Sequence, residues 1–146
     1  PIQIKNYLSK VSGPLLDRMD IQIEVASLKV HEITGPQQAE RSEVVRERVV
    51  RARKVQTDRY AAMGPHVRSN AELEAYQVEK YCRPTDEGLQ LLKMAIQELG
   101  FSARAFHKTL KVARTIADLE GGGTISASHV AEAIHYRTLD KNMWVQ

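Results

Sequence analysis

The stretch SARAFHKTLKVARTIADL, residues 102–119, decides the fold class. Phe106, Leu110, Ala113 and Ala117 recur at three- and four-residue steps, the spacing that gathers apolar side chains on one face of a helix. Ser102 stands where its hydroxyl caps the first turn, and Gly121, Gly122 and Gly123 end the pattern as a flexible turn. Working upstream, Thr85 caps a segment that opens with Asp86 and Glu87, buries Leu89, Leu92, Ile96 and Leu99, and stops at Gly100. Working downstream, residues 126–137 predict a last helix with Val130, Ala133 and Ile134 inward. The fold class is therefore mainly α.

Further from that centre the signal thins. Residues 42–60 carry no Gly or Pro and predict a long charged helix with Val45, Val49 and Ala52 as its apolar stripe. Met63, Gly64 and Pro65 end it. Residues 71–83 predict a weaker helix using Leu73, Tyr76 and Tyr81, stopped because Pro84 pushes the preceding residue out of the helical region. These segments make a small bundle of about four or five helices with short loops.

The N-terminal part reads differently. Residues 1–11 place Ile4, Tyr7, Leu8 and Val11 at helical spacing, until Ser12, Gly13 and Pro14 break the pattern. In residues 21–25, Ile21, Ile23 and Val25 alternate with Gln22 and Glu24, the period of a half-buried strand. A lone strand cannot satisfy its ladder, so this one is expected to complete a sheet elsewhere or to lie loose. The start at Pro1, without an initiator Met, points the same way, to a piece of a longer protein. The expected organisation is residues 1–25 as the end of one domain, 26–40 as a linker, 41–140 as the helical domain and 141–146 as a tail.

The chain has 146 residues, 42% hydrophobic and 27% charged, enough for one modest core. No apolar run approaches the roughly 20 residues of a membrane span, and no signal pattern opens the chain, so the expected setting is cytoplasmic without a membrane partner. Cys82 is the only cysteine, which excludes an internal disulfide and a cysteine-built zinc site. Lys plus Arg exceed Asp plus Glu by 21 to 18, which permits an anionic partner without demanding one.

Arginines are the candidates for chemistry. Arg18, on a turn between the first helix and the strand, has the planar fork that spreads over transition-state charge on phosphate. The alternative is a local salt bridge, since Asp17 and Asp20 flank it. Arg104 falls in the first turn of the 102–119 helix, where a cation opposes the dipole unless an anion binds nearby. Lys108 and Lys111 continue that basic side, and the 42–60 helix adds Arg51 and Arg53 among its basic residues, a weak nucleic-acid surface set against the reading of simply solvated charge. No two of the five histidines stand at the spacing of a helical metal site, so no metal is assigned. Gly-x-x-x-x-Gly-Lys-Ser/Thr is absent, so this chain alone is expected neither to hold Mg-ATP strongly nor to hydrolyse it.

Three segments, YLSKVSGPLLDRMDIQIEV (7–25), SARAFHKTLKVARTIADL (102–119) and HVAEAIHYR (129–137), resemble the C-terminal part of magnesium-chelatase-like AAA+ ATPases, the YifB or competence protein ComM family. The match is weaker around residues 26–40 and 61–80. The resemblance implies that residues 1–25 are the last helix and strand of the ATPase core, and that the helical domain includes its lid. It implies Arg18 as an arginine finger acting on the neighbouring subunit and Arg104 as the sensor-2 arginine on nucleotide phosphate. It further implies that the intact parent uses ATP and Mg2+, forms a homo-oligomeric ring such as a hexamer, and remodels DNA as a branch-migration helicase. Two other readings stand beside this one: a nucleotide-independent helical module binding DNA or protein, and the motor subunit of a metal-porphyrin chelatase.

Overall fold

A computed structural model describes residues 18–23, 25–27 and 39–142. Its helices are α1 (Ser42–Tyr60), α2 (Ala75–Tyr81), α3 (Asp86–Leu99), α4 (Ala103–Leu119) and α5 (Ala127–Asn142), with 3-10 turns at Ala61–Met63 and Asn70–Glu72. The capping signals act as the sequence places them. Ser102 Oγ accepts from the Ala105 N–H at 3.1 Å, and Thr85 Oγ1 accepts from the Gly88 N–H at 3.3 Å, each satisfying a donor that the helix start would otherwise orphan. Gly100 ends α3 in the left-handed region, at φ 57°.

Helix α4 is the centre of the bundle: α5 and α1 pack against it, and α3 packs against α5. The core gathers Leu92 from α3, Leu110, Ala113 and Ala117 from α4, and Val130 and Ala133 from α5, with Tyr60, Val78 and Cys82 filling in from the other elements. Gly88 lets α3 approach α5 closely, because a Cβ there would stand 3.2 Å from Val130 Cγ2 and 3.1 Å from Pro84 Cβ. The loops before α3 and α5 are tied by a bridge between Pro84 and Ile125, with the Thr85 N–H donating to the Ile125 carbonyl at 2.9 Å.

The structure corrects several expectations. Val45 and Val49 are exposed; the buried side of α1 is Ala52, Gln56 and Tyr60, so only the second half of that helix joins the core. The weak helix splits into the 3-10 turn Asn70–Glu72 and the short α2, and it buries Val78 and Gln77 while Tyr76 stays exposed. The last helix continues past Arg137 to Asn142. Residues 21–23 and 25 form no strand ladder, and Ile21, Ile23 and Val25 are exposed; alternation alone cannot make a strand without a neighbour to bond it. The helix expected in residues 1–11, and the linker apart from residues 26, 27, 39 and 40, lie outside the described residues.

Candidate functional site

Two charged clusters flank α4. At its C-terminal end Asp118 is buried and accepts from three elements at once. Arg59 of α1 donates through both terminal nitrogens, one of them at 2.9 Å to Oδ2, and Arg114 Nε donates to Oδ1 at 3.1 Å. Asn70 Nδ2 adds a bond to Oδ2 at 2.8 Å, while its own Oδ1 accepts from Tyr60 Oη at 2.7 Å. Burial alone would push the Asp118 carboxyl up, but the bonds from Arg59 and Asn70 and the Arg114 charge outweigh it and hold the group below the usual carboxylate range. Its bond to Asp118 in turn raises Arg59, whereas burial lowers Arg114.

The same cluster fixes the glycine turn. Arg114 Nη2 donates to the Gly123 carbonyl at 2.6 Å, and Gly122 sits at φ +88° with Val55 so close that a Cβ would meet its Cγ1 at 2.6 Å. Within the turn expected to be flexible, Gly122 is thus closely packed and the Gly123 carbonyl is held, while Gly121 and Gly123 leave open space around their Cα atoms. Sequence reading missed this network because Arg59, Asn70 and Asp118 share no local motif; their separations of 11 and 48 residues are closed only by the fold.

At the other end of α4 a cation faces outward. Arg104 is exposed two residues past the Ser102 cap, beside the free N–H groups of the first turn. It lines a groove of about 290 Å³ with His107, Lys108 and Lys111, floored by Leu73, Ala75 and Val78. No carboxylate lines that groove, so its chemistry suits an anion such as phosphate better than a hard divalent cation such as Mg2+.

The structure also brings the Arg18 segment to this helix. Lys108 Nζ donates to the Arg18 carbonyl at 2.5 Å and pairs with Asp20 at 2.6 Å. Arg18 itself is exposed. Lys111 Nζ donates to the Ala71 carbonyl at 2.9 Å, so both lysines of the basic side make bonds within the chain. Arg51 and Arg53 are exposed on α1; Arg53 lines a separate groove of about 280 Å³ with Gln56, Asn70 and Thr115. Arg18 and Arg104 therefore share one neighbourhood through Lys108, and the α1 arginines stand apart from it. Among the described residues no helix is long and apolar enough to cross a membrane.

Residues 39–137 match the family model described as magnesium chelatase, subunit ChlI C-terminal, and residues 1–33 match the model described as magnesium chelatase, subunit ChlI. The chain is 41% identical over 95% of its length to the competence protein ComM of Haemophilus influenzae, covering 26% of that protein. It is 37% identical over 97% of its length to the protein YifB of Salmonella typhimurium, covering 27% of it, and 34% identical to the YifB of Escherichia coli over the same shares. The chain thus spans about a quarter of the length of the curated relatives it matches.

Proposed function

Because this chain belongs to the magnesium chelatase, subunit ChlI C-terminal family, we propose that it is the C-terminal, lid-bearing region of an AAA+ ATPase that couples ATP binding and hydrolysis to remodelling of DNA. The observation that carries the nucleotide half of this reading is the outward, carboxylate-free cationic groove at the start of α4, fastened through Lys108 to the segment that presents Arg18. A cation in the first turn of a helix is unfavourable by a few tenths of a kcal/mol unless an anion occupies the same end. Arg104 and the free N–H groups of α4 together suit such an anion.

In the proposed arrangement Arg104 bonds the phosphates of nucleotide held by its own subunit, and Arg18 reaches the nucleotide of the next subunit in a homo-oligomeric ring. Arg18 spreads two donors over the charge that develops on the transferred phosphoryl group, and Arg104 senses whether that group is present. ATP and Mg2+ belong to the intact protein; the groove offers phosphate donors and no carboxylate of the kind Mg2+ prefers, so the Mg2+ ligands are expected outside it. The DNA half of the reading is supported by similarity to a competence protein and by the exposed Arg51 and Arg53 of α1.

The test is ATP turnover by the full-length protein, with and without single-stranded or branched DNA, for the wild type and Arg18→Ala. The expected result is DNA-stimulated turnover that falls on the order of a thousandfold in the variant. Turnover stimulated by a porphyrin-binding subunit and not by DNA would make the protein a chelatase motor. No turnover by folded wild-type protein would leave a nucleotide-independent binding module.

A further inference from the structure

Four of the described residues of the N-terminal segment, Arg18, Met19, Asp20 and Gln22, are held by helices of the bundle. Lys108 of α4 grips the Arg18 carbonyl at 2.5 Å and the Asp20 carboxylate at 2.6 Å. Arg137 of α5 donates through Nη1 to the Met19 carbonyl at 2.9 Å, and the Gln22 N–H donates to the Tyr136 carbonyl at 2.9 Å. Arg137 is buried, and its guanidinium carbon stands 5.9 Å from the centre of the Phe101 ring. Phe101 directly precedes Ser102, whose cap starts the helix that carries Arg104. One side chain therefore touches both the residue after Arg18 and the residue before the Arg104 cap.

These bonds go to backbone. Two cations on consecutive carbonyls, at residues 18 and 19, hold the 18–19 and 19–20 peptide planes, the first of which contains the Cα that carries the Arg18 side chain, whatever that side chain does. The charge-assisted bonds involved are roughly twice as strong as neutral ones, and a displacement of about 1 Å at a reacting centre costs on the order of a hundredfold in rate.

From this geometry we infer that Lys108 and Arg137 are positioning residues that lock the Arg18 segment to the bundle carrying Arg104, so that lid closure on one subunit's nucleotide aims Arg18 at the next subunit's. The inference rests on the nucleotide reading of Arg18 and Arg104 given above. It adds a mechanical link within one chain between a residue that senses nucleotide in its own subunit and a residue that acts on the neighbour. Lys108 is then a latch and not a DNA contact.

The experiment uses the full-length protein without DNA and measures kcat and KM for ATP. Lys108→Met is expected to lower kcat about thirtyfold with KM within about twofold, and Lys108→Arg, which keeps a donor cation, to recover to within about threefold of wild type. In the Arg18→Ala background, Lys108→Met is expected to cost no further activity, because a latch has nothing left to aim. A general structural defect would instead add its loss to that of Arg18→Ala. Should Lys108→Met unfold the protein, Asp20→Asn, a change at an exposed partner, carries the same test with a smaller drop in kcat. Unchanged kcat in Lys108→Met beside a collapse in Arg18→Ala overturns the inference alone. Unchanged kcat in Arg18→Ala overturns the nucleotide reading and the inference with it. Lost DNA affinity with a shallower salt dependence, at unchanged DNA-free kcat, would make Lys108 a phosphate contact and also overturn it.

Discussion

At the C-terminal end of α4 the Arg114 side chain is 7% exposed and lies against an Asp118 side chain that is 0% exposed, whereas at the N-terminal end Arg104 stands in solvent with no carboxylate lining its groove. One helix thus carries arginines in two opposite settings. The buried pair is completed from three directions within the chain, so its chemistry is spent on holding the fold. The exposed end keeps donors and helix N–H groups facing outward, so its chemistry is available to something that arrives. Burial and partner count, not residue type, separate the structural arginine from the one proposed to meet phosphate.

The sharpest way to break this comparison is Asp118→Ala. It leaves Arg59, Arg114 and Asn70 without their shared acceptor in a buried site, and losing one partner of a buried ionic cluster costs about 3–5 kcal/mol. Urea unfolding followed by circular dichroism is the measurement; a loss under about 1 kcal/mol would show that water or neighbouring acceptors replace the carboxylate. The pH dependence follows with its sign. The folded carboxyl sits below its ordinary value near 3.9, so its stabilisation is complete above roughly pH 5 and disappears as pH falls through the folded value. Wild type should lose stability on acidification below about pH 4 more steeply than Asp118→Ala.

Arg104→Ala tests the opposite end. Turnover in the full-length protein should fall by two to three orders of magnitude, about 3–4 kcal/mol of transition-state stabilisation, while stability stays level or rises by a few tenths of a kcal/mol as the unfavourable dipole contact is removed. Comparable losses of stability in Arg104→Ala and Asp118→Ala would erase the distinction between the two ends.

How much of this was legible in the sequence follows the range of the interactions. Helices α3 and α4 announced themselves because capping and apolar period act within a few residues: Thr85, Gly100 and Ser102 do locally what their types imply. Arg104 was legible for the same reason, since its place in the first turn needs only the Ser102 cap to be read. The burial of Tyr60 in place of Val45 was not, because which part of a charged helix meets the core depends on where α4 lies. Asp118 was invisible as a hub: its partners Arg59 and Asn70 are remote in sequence, and a lone acid near a helix end carries no signal of what will reach it. Lys108 read as part of a basic stripe, and only the return of residues 18–20 across α4 shows what it holds.

The smallest effect divides the N-terminal end of α4 into its two ingredients, the cap and the field. Ser102→Ala removes the acceptor of the Ala105 N–H and should cost about 1 kcal/mol of stability, the usual worth of an N-cap. Ser102→Asp restores that acceptor, and its charge also favours the helix dipole, so stability should return to wild type or slightly above. Yet the added carboxylate stands two residues from Arg104, at the end where an anion is proposed to bind. It should therefore compete with phosphate for the same donors and weaken nucleotide binding by the full-length protein, read as a raised Kd in a fluorescent-nucleotide titration, although the fold is at its most stable. If Ser102→Asp bound nucleotide as tightly as wild type, the first turn of α4 would be capped for folding alone, and Arg104 would be a solvated arginine like its neighbours on α1.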